Sequence, residues 1–211
     1  MKTETMEILK GLMVRYPALA PNEGDVLAAF EMLKTCFETG GTVYLCGNGG
    51  SACDCEHIAG ELLKSFKKCR PLDTELVAGL SVDVDGERLI AGLEGGLPVV
   101  SLCGFNGFST AYANDKEPAF AFAQLVNVLG RKGDVLISLS TSGNSKNCVY
   151  AVKVAKARGM QTILLSGGNG GALQALCDVS IIAPEKETYK VQECHLPIYH
   201  CLCAMLEEEF F

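Results

Sequence analysis

The sequence predicts an α/β fold, in which an open parallel sheet of about five strands is flanked by helices. Short apolar runs alternate with helical stretches over residues 42–209, which is the order of elements in such a fold. The runs are apolar at nearly every position, a pattern typical of parallel strands that are buried on both faces. Glycine or small polar residues follow most of them. Because ligands of open α/β sheets bind beyond the carboxyl ends of the strands, we expect a site there.

Two helices are predicted before the first strand, within residues 1–40. Apolar residues recur at helical spacing over 6–13 and again over 26–37. Two prolines separate these stretches, and a pair of glycines follows the second one. The apolar faces of these helices suit either packing on the core or a helical interface between subunits.

The remaining elements follow in order along the chain. The apolar runs predict strands at 42–46, 97–103, 134–140, 161–166 and 178–183. Helices are predicted at 52–66, 117–129, 145–158, 171–176 and 187–209. Residues 73–96 interrupt the alternation, because apolar and polar residues alternate there on both sides of Asp85-Gly86, a dipeptide typical of a two-residue turn. We therefore expect one domain, 1–211, with a β-hairpin inserted near 76–92.

Composition places the chain among ordinary globular proteins. It has 211 residues, of which 48% are hydrophobic and 20% charged, and this suits one core of ordinary size. The sequence predicts neither a transmembrane helix nor a signal peptide, so no membrane association is expected. The net charge of −7 argues against direct binding to nucleic acid. The basic segment 64–70 is interpreted as the solvated end of a helix.

The eleven cysteines do not predict a disulfide framework. Their number is odd, several lie within apolar runs, and no Cys-x-x-Cys occurs. Free cysteine packs as a small hydrophobe, so we interpret these residues as buried thiols of a cytoplasmic protein. A redox or metal-storage role is disfavoured, because Cys53 and Cys55 are two residues apart and point to different faces of one helix.

Two glycine-rich segments predict an anion site. CGNGGS (46–51) follows the first strand, and STSGNS (140–145) follows the third. Glycine lets backbone amides approach an anion closely, and the N-terminus of the following helix favours negative charge. Neither segment matches the motif of a P-loop or of a dinucleotide site, which leaves a sugar phosphate as the simplest ligand. An ordinary turn with a polar helix cap is the preferred interpretation for GGNGG at 167–171.

A histidine and a carboxylate lie on the helix that follows the first glycine-rich segment. His57 and Glu61 are four residues apart, so they share one face of that helix. A divalent metal site, a proton-transfer pair and a surface ion pair all fit this spacing.

The sequence of the C-terminal helix does not show which of its two histidines is functional. His195 and His200 lie about 140° apart around a helix, so they cannot serve one site together. Helical spacing pairs Glu193 with His200, or Gln192 with His195. Periodicity therefore does not select between the two histidines.

Four segments carry a resemblance to a known family. They are CGNGGSACDCEHIAGELL (46–63), YANDKEPAF (112–120), GDVLISLSTSGNSKNCVYAVKVAKARGM (133–160) and QECHLPIYH (192–200). Through STSGNS the chain resembles the SIS (sugar isomerase) domain family. Within that family it is most similar to the phosphoheptose isomerases, through HxxxE after GNGGS and QExHxxxxH near the C-terminus. The resemblance implies a Rossmann-like SIS fold and an enzyme that interconverts sedoheptulose 7-phosphate and D-glycero-D-manno-heptose 7-phosphate through an enediol.

The resemblance also implies roles for individual residues. Glu61 would be the base of the reaction and His200 the acid. Zinc, one ion per site, would be bound by His57, Glu61, Gln192 and His200. The substrate contacts would be Asn48, Gly49, Gly50, Ser51, Asn114, Asp115, Ser140, Thr141, Ser142, Ser145 and Gln192.

Two functions from different classes fit these features. The first is a cytoplasmic, homo-oligomeric isomerase, a tetramer or a dimer, whose substrate is a phosphorylated sugar. The second is a non-catalytic SIS protein that binds a sugar phosphate and acts as a regulator or as a partner of a replication initiator. The first is favoured, because a protein that only binds need not carry both a candidate base and a candidate acid. The identity of the sugar and the role of the metal, whether catalytic, structural or absent, stay open.

Overall fold

Five parallel strands form one sheet, in the order β2-β1-β3-β4-β5. In chain order they are β1 (Val43–Gly47), β2 (Val99–Ser101), β3 (Val135–Leu139), β4 (Gln161–Gly167) and β5 (Val179–Ala183). The computed structural model describes all 211 residues, and every neighbouring pair of strands is parallel. The predicted open parallel sheet is confirmed. Its strand order changes direction between β1 and β3, which is the switch point at which ligands of such sheets bind.

Ten α-helices accompany the sheet. They are α1 (Thr3–Arg15), α2 (Glu23–Glu38), α3 (Gly50–Leu63), α4 (Thr74–Leu80), α5 (Gly86–Gly92), α6 (Asn106–Asp115), α7 (Ala121–Leu129), α8 (Lys146–Ala157), α9 (Gly171–Gln174) and α10 (Thr188–Phe210). Short 3-10 turns cover Pro17–Asn22, Leu102–Gly104 and Pro118–Phe120. The two predicted N-terminal helices are confirmed as α1 and α2. None of the helices combines the length and the apolar character that crossing a bilayer would need.

Alternate side chains of each strand enter two separate cores. On one face, residues such as Leu45 and Ile137 pack against α1, α2, α3 and α10. On the other face, residues such as Tyr44 and Leu136 pack against α7, α8 and α9. Burial on both faces explains why the strands read as continuous apolar runs.

The predicted hairpin near 76–92 is wrong, because this segment forms the two helices α4 and α5. Asp73 begins α4 by accepting a hydrogen bond from the backbone N–H of Leu76 at 2.8 Å. The expected hairpin turn needs positive φ at both central residues, and neither Asp85 nor Gly86 has it. Gly86 instead lies against the backbone of Leu80, where a Cβ would come within 1.9 Å of the carbonyl oxygen.

The interpretation of the basic segment 64–70 as a solvated helix end is wrong for its last residue, Arg70, which is buried. Arg70 Nε donates to Glu207 Oε1 at 2.9 Å, and both residues are about 1% exposed. The other guanidinium nitrogens donate to the carbonyl oxygens of Leu62 and Glu61, which lie in the last turn of α3. Glu207 also accepts hydrogen bonds from three consecutive backbone N–H groups, 66–68. This ion pair therefore fixes the end of α3 against α10.

His195 is fully buried within α10. Its Nε2 lies 3.2 Å from the carbonyl oxygen of Ser166, and its Nδ1 has no partner. Burial penalises the charged ring and lowers the pKa of His195 to about 4. The ring is therefore neutral in the folded protein near neutral pH.

We expect the free energy of unfolding to fall by about 2 kcal/mol when the pH is lowered from about 7 to about 5, because of His195. Below about pH 6.5 the unfolded chain takes up a proton on this imidazole, whereas the folded chain binds it only near pH 4. Urea unfolding at both pH values measures the change, with His195→Gln as the non-titrating control. An equal loss in that variant would show that another group is responsible.

Candidate active site

A cavity of about 340 Å³ lies at the carboxyl ends of β1 and β3, at the switch point of the sheet. Both glycine-rich segments line it, together with the first two turns of α10. Its lining consists of Asn48, Gly49, Gly50, Ser51, Leu139, Ser140, Thr141, Ser145, Thr188 and Gln192. Apart from Leu139 the lining is glycine or uncharged polar residues, so backbone amides and hydroxyls face the space.

The local backbone explains why glycine is required in these segments. Gly49 precedes α3 with φ of 56°, and Gly143 turns the second segment with φ of 64°. A Cβ on Gly143 would lie 1.8 Å from the carbonyl oxygen of Gly170. The segment 167–171 thus supports the second loop as a turn, as predicted, and Leu173 N donates to Gly143 O at 3.0 Å.

The hydroxyl groups of the second segment divide into two sets. Ser140 is 3% exposed, and its Oγ donates to Ser145 Oγ at 3.1 Å, so these two hydroxyls sit side by side at the cavity. Ser142 is not part of the lining, and its Oγ accepts a hydrogen bond from Asn144 N at 3.2 Å. The predicted substrate contact of Ser142 therefore has no support in this arrangement and stays a prediction.

His57, Glu61 and His200 come together where α3 contacts α10. Glu61 Oε1 and His200 Nε2 lie 3.2 and 3.4 Å from His57 Nε2. The side chain of His57 is 44% exposed and that of Glu61 16% exposed. Partial burial lowers the pKa of His200, and the nearby His57 lowers it further, which favours the neutral ring. The buried His195 takes no part, so the two C-terminal histidines serve different environments, as their spacing predicts.

The helices α3 and α10 run side by side in the same direction from the cavity to this cluster. At their starts Gln192 lies beside Gly50, where an added Cβ would be 2.6 Å from the amide nitrogen of Gln192. About two turns later, His57 meets His200. The seven residues from Gly50 to His57 correspond to about 10 Å along the helix axis. The cavity and the cluster of His57, Glu61 and His200 therefore lie at opposite ends of one surface along α3 and α10.

The spacing within the cluster is compatible with a small cation. Ligand atoms about 2.0–2.1 Å from zinc in a tetrahedral site lie roughly 3.3 Å from one another, close to the 3.2 and 3.4 Å observed here. However, no group of three or more His, Cys, Asp or Glu side chains is arranged as a metal site. Gln192 lines the cavity and does not join the histidines. The structure thus brings three of the four predicted ligands together without completing a metal site.

Asn114 and Asp115 lie apart from both features. They are exposed at the end of α6, and Asn114 Nδ2 donates to Asp115 Oδ1 at 2.9 Å. Neither residue lines the cavity. Their predicted contact with the substrate stays a prediction.

Four further residues of this region were not identified from the sequence. Thr188 lies one helical turn before Gln192, so helical spacing offered a signal for it. Asn147 exchanges two side-chain hydrogen bonds with Asn48, at 3.0 and 2.7 Å. Asp54 and Tyr199 contact each other beside His57. These last contacts join residues about 100 or more positions apart, which no local pattern reveals.

Comparison with known proteins identifies the family of this chain. The SIS domain family model matches residues 16–85 and 97–167. The chain is 38% identical to a phosphoheptose isomerase of Leptospira biflexa over 195 residues, which are 92% of this chain and 87% of the relative. It belongs to the phosphoheptose isomerase family. The members of this family are isomerases, so the prediction of an enzyme is confirmed.

Solved structures of the family extend the comparison to the fold. The phosphoheptose isomerase of Neisseria gonorrhoeae superposes with a TM-score of 0.75 at 30% identity, over 97% of this chain and 94% of that one. The enzyme of Francisella tularensis gives a TM-score of 0.73 at 31% identity, over 88% and 86%. The SIS-type, Rossmann-like architecture predicted for the chain is therefore confirmed.

Proposed function

We propose that this protein interconverts sedoheptulose 7-phosphate and D-glycero-D-manno-heptose 7-phosphate. One observation carries the proposal. His57, Glu61 and His200 lie at one end of a surface, and a cavity lined by backbone amides and hydroxyls lies at its other end. The names of the relatives support the reaction class.

The cavity suits the phosphate group. The helices α3 and α8 both begin beside the cavity. Two sets of free backbone N–H groups and two helix dipoles therefore favour the binding of a dianion there. Ser140 and Ser145 add hydroxyl donors. No Lys or Arg lines the cavity, so the binding depends on oriented dipoles and hydrogen bonds.

The distance between the cavity and the cluster of His57, Glu61 and His200 favours a substrate with a long carbon chain. About 10 Å along α3 separates the glycine-rich loop from His57. An extended seven-carbon chain with its phosphate in the cavity would place its first two carbons near the cluster. A shorter sugar phosphate would leave the reacting carbons between the two ends.

Glu61 and His200 have the chemistry that the isomerisation needs. The Glu61 carboxylate would remove a proton from C1 of the ketose, and His200 would supply a proton to the oxygen on C2, which gives the enediol. Return of a proton to C2 and loss of the proton from the C1 hydroxyl then complete the aldose. The contact of both groups with His57 holds them on one side of the substrate.

His57, Glu61 and His200 would also hold zinc, with Gln192 as the predicted fourth ligand. When bound, the ion would polarise the substrate oxygens and stabilise negative charge on the enediolate. Gln192 lies at the cavity end of the surface, and it would complete the set only if its side chain turned toward the histidines. The protein residues keep the roles of positioning the sugar and moving its protons.

The assembly we propose is a homo-oligomer, a tetramer or a dimer, that works in the cytoplasm. Asn114 and Asp115 are exposed and do not line the cavity of their own chain, so we propose that they contact the substrate of a neighbouring subunit. The eleven cysteines are all free thiols, which suits a reducing compartment.

Replacing Ser145 with Ala tests the phosphate assignment. We expect KM for the sugar phosphate to rise about tenfold or more, because a hydrogen bond to a charged group contributes about 1.5–3 kcal/mol. The value of kcat should stay nearly unchanged, since the loop is remote from the reacting carbons. Ser81→Ala, at the exposed end of α4, is the matched control. An unchanged KM in Ser145→Ala would remove this loop from the phosphate site.

A further inference from the structure

We propose that Tyr199 and Asp54 are positioning residues that orient His57 through its Nδ1 atom. Tyr199 lies on α10 and is 2% exposed. Its hydroxyl oxygen is 2.9 Å from His57 Nδ1 and 3.3 Å from Asp54 Oδ1. The three side chains thus form a continuous hydrogen-bonded row that ends at the cluster of His57, Glu61 and His200.

The number of protons fixes the direction of this row. A tyrosine hydroxyl carries one proton, and a carboxylate can only accept. Tyr199 therefore donates its proton to Asp54 Oδ1. The 2.9 Å contact with His57 must then be donated by the Nδ1–H of the imidazole. In the neutral ring this leaves the lone pair on Nε2, the atom that faces Glu61 and His200.

The unpaired side-chain oxygen of Asp54 supports a functional reason for the row. Its second oxygen, Oδ2, is buried and has no hydrogen-bond partner. An unpaired buried carboxylate oxygen is destabilising, and native proteins contain few of them. The only hydrogen bond that Asp54 makes through its side chain is the one to Tyr199. Asp54 therefore serves Tyr199, and through it His57, rather than the packing of α3.

The consequence concerns the proposed function, on which this part of the inference rests. A histidine that binds a metal ordinarily donates its other ring N–H to a carboxylate or another acceptor, and this fixes its tautomer and orientation. Here Tyr199 is interposed between the ring and the carboxylate. Without the hydrogen bonds among Asp54, Tyr199 and His57, the imidazole could carry its proton on Nε2 and donate it to Glu61. That proton would block the lone pair through which His57 would bind a cation.

The test uses Tyr199→Phe, which removes one hydroxyl and keeps the ring. Because the chain has only three histidines, ¹⁵N NMR of the imidazoles is readily assigned with His57→Gln as reference. We expect the metal-free wild-type protein, at a pH where the ring is neutral, to show a protonated Nδ1 and a bare Nε2 at His57. In Tyr199→Phe the tautomer should shift toward protonated Nε2. The same tautomer in both proteins, or a protonated Nε2 in the wild type, would overturn the proposal.

Zinc affinity and kinetics provide a second reading of the same variant. We expect zinc affinity, measured by chelator competition, and kcat each to fall about 10–100-fold, with KM for the sugar phosphate unchanged. Tyr44→Phe is the matched control, because Tyr44 is also buried and makes one hydroxyl hydrogen bond, to Leu129 O, on the other face of the sheet. It should change neither quantity.

A third variant keeps the proposal falsifiable if Tyr199→Phe unfolds. Asp54→Leu keeps the branched shape of the side chain but removes both acceptor oxygens, so it should shift the tautomer of His57 in the same direction. A shifted tautomer without any isomerase activity in the wild type would refute the proposed function and leave the hydrogen-bonded row intact. Full activity with an unshifted tautomer would refute the row and leave the proposed function intact.

Discussion

Replacing Glu61 with Gln lowers kcat for sedoheptulose 7-phosphate by about 10²–10⁴-fold, the range expected for loss of a general base. The amide keeps the size of the side chain and the contact distance to His57, but it cannot accept a proton from carbon. KM should change little, because the phosphate cavity does not include Glu61. Steady-state kinetics with the purified variant measures both constants.

Glu56→Gln is the matched control for Glu61→Gln. Glu56 lies on the same helix and is exposed, and it makes no side-chain hydrogen bond or ion pair within the chain. The control variant should keep the wild-type kcat. A Glu61→Gln enzyme with more than about a tenth of the wild-type kcat would show that another group takes the proton.

Replacing Glu207 with Gln should lower the free energy of unfolding by about 3–5 kcal/mol, the cost of leaving a buried charge without its partner. Arg70 would remain charged and buried without a carboxylate partner, although the carbonyl oxygens of α3 would still accept two of its hydrogen bonds. A glutamine has one acceptor oxygen in place of two, so the backbone N–H groups of 66–68 would lose partners as well. Equilibrium unfolding in urea measures the loss, with the slope m as a check on two-state behaviour.

The neighbouring residue supplies the control for Glu207→Gln. Glu208 forms an ion pair with Lys68, whose side chain is exposed, and pairs that solvent reaches contribute about 0–1 kcal/mol. Glu208→Gln should therefore change the free energy of unfolding by less than about 1 kcal/mol. Similar losses in the two variants would mean that burial of Arg70 and Glu207 does not determine the stability of this segment.

The sheet and both glycine-rich loops could be predicted because their determinants are local. Strands that are buried on both faces must be apolar throughout, as Val135–Leu139 is. A close approach to an anion requires glycine or small polar residues at the strand ends. The segments around Gly49 and Gly143 display both requirements in consecutive residues. Local chemistry was therefore sufficient for the core and for the cavity.

Two kinds of feature were beyond local prediction. The residues near Val82 and Val84 alternate as a strand would, yet both side chains are about 90% or more exposed because no neighbouring surface is available to cover them. Tertiary contacts were also missed. Tyr199 reads as one apolar helix residue among several, and its role depends on Asp54, 145 positions earlier in the chain. A pairing of this kind is set by how α3 packs on α10, which periodicity does not specify.

The most direct test of the proposed function is incubation of the purified protein with sedoheptulose 7-phosphate and zinc, followed by ³¹P NMR. We predict the appearance of the aldose 7-phosphate and the same final ratio of the two sugars from either starting compound. Inorganic phosphate should raise the melting temperature in the same preparation, as a ligand that binds the folded state does. Stabilisation by phosphate and by sedoheptulose 7-phosphate without any interconversion would contradict the isomerase and indicate a protein that only binds sugar phosphates.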